Sequence, residues 1–101
     1  MSAEESTASS DELLRVFWRP GCSYCERLFR VLEREGIRHE RHDIWRDETA
    51  RGVVAALNGG NETVPTVVVG DRALTNPGPD DLVALLRAEY PELFATIRHS
   101  R

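Results

Sequence analysis

The sequence predicts one α/β domain built on a four-stranded mixed sheet, with elements in the order β1-α1-β2-α2-β3-β4-α3 and a short closing α4. Three observations carry this. An apolar strand pattern at 13–18 runs into a C-x-x-C that opens a helical pattern; a second strand and helix pattern follows over 37–57; and two short strand patterns, 66–69 and 72–75, are separated only by Gly70-Asp71. A chain of 101 residues fits a single domain.

Residues 1–11 are small, polar and acidic and read as a disordered tail, leaving a domain at 12–101. They hold no basic segment followed by an apolar one, so the cytoplasm is the expected compartment. Leu13 to Trp18, bulky and apolar and bounded by Pro20-Gly21, is β1. From Cys25, Leu28, Phe29 and Leu32 recur at steps of three, four and seven with charged residues elsewhere, which is the buried face of α1; Gly36 is its stop. Ile37 to Ile44 is polar for a strand, but lying between two helices it completes a β-α-β unit as a parallel β2. Asp47 to Leu57 forms α2, burying Val53, Val54 and Leu57 and ending at Asn58-Gly59-Gly60-Asn61. Thr66 to Val69 and Arg72 to Thr75 form the β3-β4 hairpin. Pro79 suits the first position of α3, with Asp80 and Asp81 in its first turn and Leu82, Leu85 and Leu86 inward. A terminal helix, α4, covers Pro91 to His99 and carries Leu93, Phe94 and Ile97.

Charge and hydropathy narrow the function. A formal net charge of -4 and a pI near 5.3 exclude the basic footprint of a nucleic-acid binder. No run approaches the ~18 apolar residues that span a bilayer. The two cysteines, Cys22 and Cys25, are the only ones, and in a reducing compartment such a pair points to redox or metal chemistry rather than a structural staple. A thiolate, not a thiol, attacks a disulfide, and unpaired N–H groups at the start of α1, those of Tyr24 and Cys25, favour the anion of Cys22. Arg19 adds positive charge where its side chain folds back. Cys25 shares the apolar face of α1, so the two sulfurs should differ in exposure: Cys22 open to attack, Cys25 held inward as the resolving thiol. The competing zinc reading rests on C-x2-C-x13-H-x2-H, formed with His39 and His42. It is the weaker one, because the histidine gap is short, the intervening residues are a helix, and the two histidines alternate across a strand. Both histidines then read as solvated or interface groups, and Trp18 and Trp45 as core and surface packing groups.

The C-x-x-C after β1, Thr63-Val64-Pro65 before β3, and Leu74-Thr75-Asn76-Pro77 before α3 together resemble the glutaredoxin family. The segments from Asn58 to Val67 and from Leu74 to Pro77 are most similar to those of mycoredoxins, its actinobacterial branch, and the likeness covers residues 13–88. It implies a thioredoxin fold of glutaredoxin type and a cis Val64-Pro65 bond beside the cysteines, with the Val64 backbone open to pair with a cysteinyl substrate. Thr75-Asn76 stands where many glutaredoxins carry a Gly-Gly pair, a departure that favours a thiol other than glutathione. Tyr24 is retained, whereas Ser23 and Gly21 depart from the usual residues around the first cysteine. The implied function is thiol-disulfide exchange on mixed disulfides between proteins and mycothiol. Cys22 and Cys25 are the reacting groups, and Arg19, Tyr24, Val64, Pro65, Thr75 and Asn76 line the substrate. The implied working form is a monomer with no bound cofactor or metal, with mycothiol as co-substrate and a mycothiol disulfide reductase drawing on NADPH upstream. A dithiol donor recharged by thioredoxin reductase and an iron-sulfur carrier, kept open by Ser23, are the alternatives.

Overall fold

Leu14, Val16 and Trp18 alternate with Arg15 and Phe17 along β1 (Leu14–Trp18), so this strand offers large apolar groups to both faces of the sheet. That two-faced character places it centrally. In the computed structural model, which describes residues 14–98, β1 pairs in parallel with β2 (Glu40–Asp43) and antiparallel with β3 (Thr66–Val69), which pairs with β4 (Arg72–Thr75), giving the order β2-β1-β3-β4. The expected tail at 1–11, Leu13 and His99 lie outside the described residues.

Helices α1 (Ser23–Arg34), α3 (Pro79–Glu89) and α4 (Pro91–Ile97) cover one face. There Cys25, Leu28, Phe29 and Leu32 of α1 meet Leu14 and Val16 of β1, Val67 and Val69 of β3, and Leu82, Leu86, Phe94 and Ile97. Helix α2 (Glu48–Leu57) covers the other face, over Phe17, Ile44, Ala50 and Val54. The fold is the expected α/β thioredoxin architecture. No helix among the described residues is long and apolar enough to cross a membrane.

Helix α1 ends as its sequence requires. Gly36 takes φ +71°, a left-handed value open to glycine, so that its N–H reaches the Glu33 carbonyl (3.1 Å) and the N–H of Ile37 reaches that of Leu32 (2.9 Å). Two free carbonyls are thereby capped, and buried Ile37 packs into the same cluster as Leu32. This capping also shortens β2. The strand expected at 37–44 forms only over Glu40–Asp43, because Ile37 is committed to the helix cap and to an isolated antiparallel bridge with Arg98. Asp43 then turns the chain by accepting from the backbone N–H groups of Arg46 and Asp47.

Two further expectations are corrected. Leu57 was expected inward on α2, but it is 46% exposed, while Ala50 and Val54 are buried. The inward slot at the helix end is taken by Asn58, whose side-chain amide donates to the Val54 carbonyl and to the hydroxyl of Thr66. The histidines do lie on opposite faces, yet neither is simply solvated: His42 stacks on Phe17 (5.0 Å between centroids) and His39 on Phe29 (5.8 Å).

His39 makes the fold sensitive to acid. The guanidinium of Arg41 donates to its Nε2 (3.1 Å), which fixes Nε2 as an acceptor and leaves Nδ1 to donate to the Ile37 carbonyl (2.8 Å); the ring is therefore neutral. Burial, with the charge of Arg41, holds its pKa below the ordinary 6.5, against the pull of the Ile37 carbonyl and Glu33. With the folded pKa below the unfolded one, the unfolded chain takes up the proton first. The contribution of His39 is thus complete above the unfolded value and is lost as pH falls through and below it. Urea unfolding at pH 7.5 and 5.5 should show a smaller acid loss in His39→Asn, whose amide can still donate to Ile37, than in the unsubstituted protein. An equal loss in both would contradict this assignment.

Candidate active site

The sheet pairing lines up four connections along one edge. Asp43 pairs with Trp18, Phe17 with Thr66, and Thr66 with Thr75, so the residues that follow β2, β1 and β4 and precede β3 emerge side by side. In spatial order these are Trp45, then Arg19 to Cys22, then Val64-Pro65, then Asn76. Neighbouring strands stand about 4.8 Å apart, so the row spans roughly 14 Å.

Cys22 is the N-cap of α1. Its extended backbone (φ -95°, ψ 108°) lets its sulfur accept the backbone N–H of Cys25 at 3.2 Å, one of the donors that an α-helix start leaves without a carbonyl. The N–H of Tyr24, expected to join it, makes no such bond. On the other side the Cys22 Sγ faces the carbonyl of Val64 at 3.9 Å, and the Val64-Pro65 peptide is cis, as the resemblance implied. Both cysteines are free thiols. The expected contrast in exposure is small: Cys22 is 6% exposed and Cys25 0%. With the Val64 carbonyl facing its sulfur and only 6% of the residue exposed, Cys22 is a shielded nucleophile, not an open one. Burial first, then the hydrogen bond with Cys22 and its charge, push the pKa of Cys25 up to about 12, against the opposing pull of a backbone hydrogen bond with Arg19 and of the Arg19 charge.

The remaining expected residues divide. Tyr24 (58% exposed) and Asn76 come together with Arg27, Pro77, Gly78 and Pro79 around a pocket of about 170 Å³ on the β4 side of Cys22. Asn76 has φ +48°, and its N–H donates to the Pro65 carbonyl (2.7 Å), tying the pocket wall to the cis peptide. Thr75 turns its hydroxyl away from the pocket to donate to Asn58 Oδ1 (2.6 Å). Arg19 does not fold back on Cys22: its guanidinium lies over the ring of Trp45, 5.4 Å from the centroid, and donates to the Pro20 carbonyl. Ser23 opens α1 with its side chain exposed.

Two further groups have a place at the site. Arg27, whose position on the charged face of α1 fits either a solvated group or one that steers a thiol, lines the pocket, three residues on from Tyr24. Asn58, read as a helix stop, joins α2 to both hairpin strands: its amide reaches Val54 and Thr66, its oxygen accepts from Thr75, and the fully buried Thr66 donates onward to the Thr63 carbonyl at 2.8 Å. In the sequence it stands only as the first residue of the segment that carries the family likeness, with nothing to give its partners. Among the described residues, no three His, Cys, Asp or Glu side chains gather closely enough to hold a metal ion.

Known proteins share this arrangement. The glutaredoxin family profile matches residues 14–74. A candidate glutaredoxin of Mycobacterium tuberculosis, an actinobacterium, is 39% identical over 74 residues in two strains, covering 72% of this chain and 88% of its own. The glutaredoxin of Brucella melitensis, known from a solution structure, is 28% identical at a TM-score of 0.59 over 87% of this chain and 94% of its own. A thioredoxin-like protein crystal structure, 24% identical, shares the fold at a TM-score of 0.66 over 75% of this chain and 96% of its own. The chain belongs to the glutaredoxin family.

Proposed function

We propose that this protein reduces mixed disulfides between proteins and mycothiol. The observation that carries the reading is the setting of Cys22. Its sulfur accepts the N–H of Cys25 at 3.2 Å and faces the Val64 carbonyl at 3.9 Å, and the pocket formed by Tyr24, Arg27 and residues 76–79 opens on the same edge of the sheet. Three features support mycothiol over glutathione: the actinobacterial relative, the Thr75-Asn76 pair in place of Gly-Gly, and a pocket wall of Tyr24, Asn76 and prolines, in which Arg27 is the one cation. Mycothiol presents a neutral sugar-inositol body, for which an aromatic face and amide groups are suitable partners, whereas glutathione presents two carboxylates.

In the proposed cycle the Cys22 thiolate attacks the mycothiol sulfur of the mixed disulfide. The new S–S bond forms as the old one breaks, and the protein sulfur leaves as a thiolate and takes a proton from solvent. A second mycothiol thiolate then attacks the mycothiol sulfur on Cys22, restoring the Cys22 thiolate and releasing mycothiol disulfide. Alternatively Cys25 attacks Cys22 and frees mycothiol, leaving an internal disulfide. Two mycothiol thiolates in succession reopen that internal disulfide and leave as mycothiol disulfide, which a mycothiol disulfide reductase reduces with the two electrons of NADPH. The chain acts as a cytoplasmic monomer without a bound cofactor.

The test compares electron sources on one substrate, the mixed disulfide of mycothiol and 2-mercaptoethanol. NADPH oxidation should be at least about tenfold faster with mycothiol and its reductase than with glutathione and its reductase or with thioredoxin reductase alone. Equal or faster turnover with either rival source would sink the mycothiol assignment.

A further inference from the structure

A mixed disulfide has two unlike halves, and the site has two unlike sides. On the β4 side of Cys22 lies the pocket of about 170 Å³, too small for a folded polypeptide to enter. On the β2 side stands Trp45, 62% exposed and a member of neither apolar core. Most of the ring is left to solvent on the edge where the cysteine loop emerges. The turn that carries it is held firmly: the backbone N–H of Trp45 donates to the Asp43 carboxylate (2.9 Å), the backbone N–H groups of Arg46 and Asp47 close on the Asp43 carbonyl, and that of Ile44 continues the ladder onto the Trp18 carbonyl (2.9 Å), against the strand that leads to Cys22. Arg19 covers part of the ring and orients it. A tryptophan held in this way, with a guanidinium against it, offers a large apolar area at little cost in conformational entropy, the combination that dominates polypeptide recognition.

We propose that Trp45, backed by Arg19, docks the polypeptide half of the mixed disulfide and makes the protein favour protein substrates over small disulfides. The proposal rests on the exchange reading above. With the thiol body in the pocket beside Asn76 and its sulfur at Cys22, the polypeptide leaves across β1 towards β2, one strand spacing away, and Trp45 is the large apolar group in that path.

The experiment measures kcat/KM on two probes: serum albumin carrying mycothiol on its free cysteine, and the mixed disulfide of mycothiol and 2-mercaptoethanol. For Trp45→Ala, the albumin probe should lose about tenfold, mostly through KM, while the small probe stays within twofold. Trp45→Phe should recover most of the loss. Equal losses on both probes, or none on either, would overturn the proposal, with urea unfolding of each variant identifying a folding defect as the cause of an equal loss. Failure of the unsubstituted protein on both probes would instead overturn the exchange reading, and this proposal with it.

Discussion

Cys22→Ser is expected to lose at least about a thousandfold in exchange activity, because a hydroxyl at that place is neither ionised at neutral pH nor able to form the disulfide intermediate. Cys25→Ser should behave differently. The donor to the Cys22 sulfur is the backbone N–H of residue 25, which the substitution leaves in place, so the nucleophile keeps its stabilising contact. Turnover with a small thiol should persist in Cys25→Ser, and only the route through an internal disulfide should disappear. Loss of both routes in Cys25→Ser, or full activity in Cys22→Ser, would contradict the assigned roles.

The asymmetry behind this result is electrostatic more than steric. At about 12, the pKa of Cys25 leaves on the order of one part in 10⁵ as thiolate at pH 7. Burial is the first cause, and the hydrogen bond and charge of Cys22 add to it. Those last two contributions disappear once Cys22 is linked to substrate, so capture lifts part of the hold on the resolving thiol while burial keeps the rest. Brief alkylation with iodoacetamide at pH 7, read by mass spectrometry, should label Cys22 and leave Cys25 unmodified.

Local periodicity and turn chemistry made most of the frame legible. The Cys25, Leu28, Phe29, Leu32 stripe, the Gly36 stop and the Gly70-Asp71 hairpin each follow from residues a few positions apart, and each forms as expected. The cysteine pair and Val64-Pro65 were legible as motifs, which implied their neighbourhood. What escaped were interactions between distant residues. Cys22 faces the Val64 carbonyl, a neighbour that nothing near position 22 encodes. Asn58 is a partner of Thr66 and Thr75 only after the hairpin folds against α2. His39 and His42 find Phe29 and Phe17 across the sheet, and Arg19 turns to Trp45 because two strands end side by side. In each case a polar or charged side chain could be satisfied by solvent or by protein, and tertiary geometry decided.

The packing under the redox pair should be as consequential for its chemistry as the groups that touch the sulfurs. Leu28 lies one helical turn beyond Cys25, fully buried in the same cluster, so Leu28→Ala opens a cavity directly beneath the resolving thiol. The cost should be about 2–5 kcal/mol, from lost apolar burial and the unfilled space. A domain of this size is stable by roughly 5–15 kcal/mol, so the variant stays largely folded near room temperature with a clearly lowered urea midpoint. A second effect follows from the first cause of the raised pKa. Cys25 is held protonated chiefly by desolvation, and a cavity that admits water weakens that hold, so its pKa should drop from about 12 and its alkylation at pH 8 should accelerate. Measuring both separates packing from electrostatics: a lowered midpoint with unchanged Cys25 reactivity would mean that the sulfur is kept neutral by Cys22 rather than by the dry core around it.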